Sequence, residues 1–70
     1  MKTPIQQRVG KRIREYRKKS GLTQDQLAEQ TGIDYKYVQK IEGKNPPLIR
    51  VDTVEKIAKV LKISPSKLLD

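Results

Sequence analysis

Residues 22–44 read LTQDQLAEQTGIDYKYVQKIEGK, and this stretch decides the fold. Thr23 and Gln26 form a capping box, the side-chain pattern that begins an α-helix. Asp34 is a second cap, because a carboxylate satisfies the free N–H groups of a helix start. Gly32 lies just before it, where a positive φ lets the backbone turn without a Cβ clash. The stretch therefore predicts two short helices with a tight glycine turn between them.

The apolar residues of this stretch indicate how the two helices pack. The first helix is predicted to run to about Gln30 or Thr31, and the second over about 35–42. Ala28 is small enough for the two helices to cross closely, and the residues predicted to face inward are Leu27, Ala28, Val38 and Ile41. Two short helices joined by such a turn form a helix-turn-helix, predicted here over about 23–43.

The residues before this unit predict a longer helix over about 4–20. Thr3 and Gln6 form a capping box, with Pro4 expected at the first helical position. Gly21 lies where a left-handed residue would end the helix. Apolar side chains recur along one stripe of this helix, at Ile5, Val9, Ile13 and Tyr16.

The residues after the unit predict two more helices. Pro46 and Pro47 exclude a continuous helix over residues 44–50. Asp52, with Glu55 three residues later, predicts the restart of a helix. Its buried stripe is expected to be Val54, Ile57, Ala58 and Leu61. Ser64 and Pro65 then predict a final turn that carries Leu68 and Leu69. The expected architecture is all-α, a compact five-helix bundle.

Length and composition limit the function. Seventy residues allow one domain, predicted over 1–70, with a small core and little room for a deep substrate pocket. The chain has no cysteine and no histidine, which excludes disulfides, zinc fingers and the commonest catalytic bases. We therefore expect no metal and no cofactor.

Charge is the strongest global signal. The formal net charge is +8, and residues 1–19 contain a single acid, Glu15, against the basic residues Lys2, Arg8, Lys11, Arg12, Arg14, Arg17, Lys18 and Lys19. A domain this basic concentrates polyanions around itself. Charge alone does not separate DNA from RNA or from an acidic membrane. No signal-peptide core or membrane-length apolar run is present, so we expect a soluble, cytoplasmic protein without a membrane partner.

With these features the chain resembles a known family, the Cro/repressor type of helix-turn-helix, also called the xenobiotic-response-element type. The resemblance covers about residues 9–69, and its markers are Arg14-Glu15-Tyr16-Arg17, Gly21-Leu22-Thr23-Gln24, Leu27-Ala28, Gly32-Ile33, Val38, Ile41-Glu42-Gly43-Lys44 and Ile57-Ala58-Lys59-Val60-Leu61. It implies a lambda-repressor-like bundle whose third helix enters the major groove of double-stranded DNA. The chain departs from the family's usual pattern at residues 46–50, where a single proline is common.

The exposed face of the third predicted helix supplies the base-contact candidates. At 100° per residue, the face opposite Val38 and Ile41 carries polar side chains. Lysine can donate to guanine O6 and N7, and glutamine can pair with adenine N6 and N7. Together with the resemblance, this predicts base contacts by Tyr35, Lys36, Gln39 and Lys40. The alternative for the two lysines is that they contact only phosphates.

Phosphate contacts are predicted around this helix. Gln24 begins the second helix, where free N–H groups attract anions; the resemblance also implies that it braces the third helix. Tyr37 faces sideways, away from the base-contact face. Its ring could pack against the core or its hydroxyl could donate to a phosphate, and the sequence favours neither interpretation. The full set of predicted phosphate contacts is Thr23, Gln24, Tyr37, Lys44, Asn45 and Arg14.

Two further interactions are predicted. The resemblance implies a structural ion pair between Arg17 and Glu42; the alternative is two unrelated surface charges. A dimer interface is predicted at the C-terminal end, at Ile63, Leu68 and Leu69, although Leu68 could equally complete the core of the monomer.

The leading functional hypothesis is a transcriptional regulator, a repressor or controller protein, that binds a palindromic operator as a homodimer. The alternative is an antitoxin or coactivator-like protein-interaction module on the same fold, although no toxin-wrapping segment and no small-molecule sensor domain are expected in this chain. An enzyme such as a nuclease is disfavoured because the acids are scattered and explained by helix starts. RNA is a lesser candidate, because its deep, narrow major groove excludes a helix.

Overall fold

The computed structural model describes residues 4–69, and this part of the chain is an all-helical bundle. No strand is found among these residues, which agrees with the predicted fold class. None of their helices has both the length and the apolar character that crossing a membrane requires. The helices are α1 (Ile5–Lys19), α2 (Gln24–Thr31), α3 (Tyr35–Ile41), α4 (Val51–Leu61) and α5 (Pro65–Leu69).

The predicted caps of the helix-turn-helix are present. The Thr23 Oγ1 accepts from the Gln26 N–H at 3.0 Å, and the Gln26 Oε1 accepts from the Thr23 N–H at 2.9 Å. Gly32 ends α2 with a φ of +76°. The Asp34 Oδ1 then accepts from the Lys36 N–H at 2.8 Å and caps α3. These local signals confirm the predicted bounds of both helices to within one residue.

The start of α1 differs from the prediction. The proposed cap Thr3 lies outside the described residues, and Pro4 is the N-cap itself rather than the first helical residue. Ile5 is half exposed, so the apolar stripe enters the core only at Val9. The predicted end is confirmed, because Gly21 has a φ of +73° and donates to the Lys18 carbonyl at 3.0 Å.

The start of α4 lies one residue before Asp52, the residue that predicts its restart. The helix begins at Val51 with Arg50 as its N-cap, so Asp52 lies inside the first turn and is not the cap. Its carboxylate instead accepts from the Thr53 N–H at 3.0 Å and lies 3.2 Å from the Arg50 Nε on the exposed surface. A carboxylate in this first turn still stabilises the positive end of the helix dipole.

One core joins the helices, and it contains the residues predicted to face inward. Tyr16 packs at its edge. Leu68 has no exposed surface and ties α5 to this core. The prediction that Leu68 lies in a dimer interface is therefore wrong, because its side chain is already buried inside the monomer. The buried hydrophobic residues are Val9, Ile13, Leu27, Ala28, Val38, Ile41, Val54, Ile57, Ala58, Leu61 and Leu68.

Gly10 brings α1 unusually close to the end of α3. A Cβ atom at this position would collide with the main-chain carbonyl oxygen of Ile41. Only glycine allows the two backbones to approach this closely. This contact sets the position of α3 against α1.

Candidate nucleic-acid interface

The outer face of α3 is free of packing within the described chain. Val38 and Ile41 are about 1% exposed and anchor the helix to the core. Lys36, Gln39 and Lys40 are all exposed on the other side. The polar face predicted from the helical period is therefore available to a partner.

A groove next to α3 brings together predicted contact residues from three segments. Arg14 lies on α1, Thr23 caps α2, and Gln24 is its first helical residue. All three line one open groove with Tyr35 and Gln39 of α3. Lys36 and Lys40 do not line it. The candidate interface thus consists of a groove and an adjoining basic helix face.

Glu42 lies at the base of this groove and accepts hydrogen bonds from two helices. Arg17 donates to it from Nε at 2.8 Å and from Nη2 at 2.9 Å. The Gln24 Nε2 donates to the same carboxylate at 3.1 Å. The ion pair implied by the resemblance is therefore present, and Gln24 braces the end of α3 through its own side chain.

The guanidinium of Arg17 also binds the turn before α2. Its Nη1 donates to the Leu22 carbonyl at 2.7 Å, so one side chain connects α1, this turn and the C-cap of α3. The hydrogen bond to Glu42 raises the pKa of Arg17. The side chains of Arg17 and Glu42 are only 10% and 2% exposed, which makes this a largely buried pair.

The two tyrosines of α3 occupy different environments. Tyr37 is half-buried and packs against the core, as one of its two interpretations predicts. Tyr35 is 41% exposed, and its hydroxyl accepts a hydrogen bond from the Gln39 Nε2 at 3.2 Å. The period of the helix places Tyr35 and Gln39 one turn apart, but it does not indicate that their polar ends meet.

The loop after α3 presents Lys44 and Asn45 at the surface. Pro46, the next residue, is buried and lies near Gly10. The Gln7 Nε2 donates to the Lys44 carbonyl at 3.4 Å, so α1 also contacts this loop. Sequence reasoning missed the role of Gln7, because nothing local to it indicates a partner so distant in the chain.

Comparison with known proteins agrees with this geometry. A helix-turn-helix family matches residues 13–68. The HTH-type transcriptional regulator SinR of Bacillus subtilis is 36% identical over 62 residues, which are 89% of this chain and 56% of that protein. SinR of Bacillus licheniformis is 34% identical over the same length. The chain therefore spans about half the length of these curated relatives.

Solved structures show the same arrangement of helices. SinR, described as the master regulator for biofilm formation and crystallised in complex with DNA, aligns with a TM-score of 0.84 at 35% identity, over 89% of this chain and 98% of that one. The restriction-modification controller protein C.AhdI from Aeromonas hydrophila aligns with a TM-score of 0.83 at 33% identity, over 90% and 94% of the two chains. The chain belongs to the helix-turn-helix family, in its Cro/repressor type.

Proposed function

We propose that this chain is a sequence-specific, double-stranded-DNA-binding transcriptional regulator, a repressor or controller protein, that places α3 in the major groove. The observation that carries the proposal is the exposed face of α3. Lys36, Gln39 and Lys40 are exposed on it, while Val38 and Ile41 on the opposite side of the same helix are buried in the core. A helix whose backbone is already held in place can present polar side chains to base edges without a further cost for ordering that backbone.

The chemistry of this face suits the major groove. Lys36 and Lys40 carry donors for guanine O6 and N7, and the amide of Gln39 can both donate and accept, as adenine requires. Tyr35 adds a hydroxyl at the start of the helix. These four residues are the proposed base contacts.

The proposed phosphate contacts surround α3. Thr23 and Gln24 lie at the N-terminus of α2, and Arg14 lines the same groove. Lys44 and Asn45 are exposed on the loop beyond α3 and would contact the flanking strand. Tyr37 has its ring against the core, so any phosphate contact would use its hydroxyl. Phosphate contacts set position along the duplex, while base contacts set sequence preference.

A homodimer on a palindromic operator is the proposed assembly. One such helix reads only a few base pairs, and pairing two of them about 34–36 Å apart doubles the recognised sequence. Ile63 is half-buried and Leu69 is 42% exposed, so both remain candidates for the dimer interface. The proposed role needs no enzymatic activity and no cofactor, and it places the single domain in the cytoplasm with the DNA.

Selection of preferred sites from random DNA duplexes tests this function. At about 0.15 M salt, a short inverted repeat with half-site centres one helical turn apart is the expected result. Binding without any enriched motif would contradict sequence-specific recognition. In that case the protein-interaction alternative would be favoured.

A further inference from the structure

The hydrogen bond between Tyr35 and Gln39 determines what the glutamine offers to a base. The amide nitrogen of Gln39 donates to the Tyr35 hydroxyl at 3.2 Å. Both residues lie one turn apart on the exposed face of α3. Among residues 4–69, Tyr35 is the one group hydrogen-bonded to this amide. This hydrogen bond favours one orientation of the glutamine amide before any ligand binds.

The hydrogen-bond groups that remain on the Gln39 amide match adenine better than guanine. A glutamine amide has two N–H donors and one carbonyl acceptor. With one N–H directed to Tyr35, one donor and the Oε1 acceptor remain free. The major-groove edge of adenine presents one acceptor at N7 and one donor at N6, which matches this pair. Guanine presents two acceptors, at N7 and O6, and leaves the Gln39 carbonyl oxygen without a partner.

We propose that Tyr35 is a positioning residue that orients the Gln39 amide so that this helix selects adenine over guanine at one position of each half-site. This inference rests on the proposed DNA-binding function and adds the base specificity of one of its contacts. The opposite arrangement, with the Tyr35 hydroxyl donating to one lone pair of the Gln39 carbonyl, would leave both N–H donors and the second lone pair free, so guanine would be accepted as well as adenine. Equal binding of adenine and guanine at this position would therefore indicate this opposite arrangement.

The test begins by locating the position that Gln39 reads. Site selection with the unaltered protein and with Gln39→Ala should give motifs that differ at one symmetric pair of positions. Two duplexes are then made that carry adenine or guanine at this position of one half-site and are otherwise identical. Unaltered protein should bind the adenine duplex about 5–150-fold more tightly, the range for one good bidentate contact.

Removing the Tyr35 hydroxyl distinguishes a residue that positions Gln39 from one that only contacts the DNA. In Tyr35→Phe the amide is free to rotate, so the adenine preference should fall about fivefold, the equivalent of one hydrogen bond. Thermal unfolding should be unchanged, because both side chains of this hydrogen bond are exposed. Tyr37→Phe is the matched control, since it removes a hydroxyl from the same helix without touching Gln39. If the Tyr37 hydroxyl binds a phosphate, this control should bind both duplexes more weakly by the same factor, and the ratio should stay unchanged.

Three results would overturn the inference while leaving the proposed function intact. They are guanine bound at least as tightly as adenine at the Gln39-dependent position, a motif with no position that depends on Gln39, or an equal loss of affinity on both duplexes in Tyr35→Phe. If the unaltered protein selects no motif at all, the proposed function fails and this inference fails with it. A retained motif with a reduced adenine preference in Tyr35→Phe supports both.

Discussion

The guanidinium of Arg17 donates two parallel hydrogen bonds to the carboxylate of Glu42, from Nε at 2.8 Å and from Nη2 at 2.9 Å. This fork geometry belongs to arginine and cannot be reproduced by the single ammonium of lysine. Because the pair joins α1 to the C-cap of α3, it fixes the end of the helix proposed to enter DNA. It lies beside the Gln24 amide, so the same carboxylate also holds the start of α2.

Breaking this pair should strongly destabilise the domain. Arg17→Met or Glu42→Gln alone leaves a buried partner unsatisfied, a loss of about 3–5 kcal/mol. The double variant should lose clearly less than the sum of the two single losses. Urea unfolding of all three variants measures this coupling. Small additive losses of about 1 kcal/mol or less would mean that the pair behaves as surface charges do.

Gly10→Ala should destabilise the domain by about 1–3 kcal/mol, although helix propensity alone favours alanine by about 1 kcal/mol. The added methyl group would collide with the Ile41 carbonyl, and a main-chain atom cannot rotate away. Lys11→Ala, at the next and exposed position of α1, is the matched control and should change stability by about 0.5 kcal/mol or less. A Gly10→Ala protein as stable as the control would show that the backbones separate freely.

The sequence predicts those parts of this fold that depend on local signals. Thr23, Asp34 and Gly32 mark the bounds of α2 and α3 because caps and left-handed glycines act within a few residues. The helical period alone predicts the exposed face of α3, because that face lies opposite the apolar residues Val38 and Ile41. The approach of Gly10 to the Ile41 carbonyl could not be predicted, because it depends on how two distant helices cross.

Side-chain conformation sets the other limit on prediction. Spacing places Tyr35 and Gln39 on one face, but only the rotamers decide whether the hydroxyl and the amide meet. Leu68 and Leu69 are adjacent leucines that the sequence does not distinguish. Leu68 is buried and Leu69 is exposed because of the way α5 packs on the core. Lys62 ends α4 in the left-handed region with a φ of +60°, and the sequence does not predict this conformation because the residue is not a glycine.

Lys62→Gly should stabilise the domain by about 0.5–1 kcal/mol. A side chain in the left-handed region costs about 1–2 kcal/mol, and part of the gain is offset because glycine is more flexible in the unfolded chain. Lys62→Ala is the control, since it removes the charge but keeps the strained backbone. The midpoint of thermal unfolding should rise only in the glycine variant. An equal rise in both would assign the effect to charge.

The two leucines of α5 should respond differently to truncation. Leu68→Ala removes a fully buried side chain and should cost about 2–5 kcal/mol. Leu69→Ala, at a position 42% exposed, should unfold almost as the unaltered protein does while weakening self-association in sedimentation experiments. If Leu69→Ala leaves the monomer–dimer equilibrium unchanged, this end of the chain is not the dimer interface.

The lysines of α3 should separate base reading from phosphate binding. Lys36→Ala and Lys40→Ala are each expected to weaken binding to the selected operator by about 1–3 kcal/mol, with a smaller loss on random duplex, because a base contact is used only at the correct sequence.

Lys44→Ala is the matched control from the loop beyond α3. It should weaken binding to both duplexes equally and lower the dependence of log affinity on log salt by about 1 for each bound protomer, since each protomer neutralises one phosphate fewer. Gel-shift titrations over a range of salt concentrations measure all three variants on both duplexes. Equal losses of affinity on the two duplexes for Lys36→Ala or Lys40→Ala would identify that lysine as a phosphate contact.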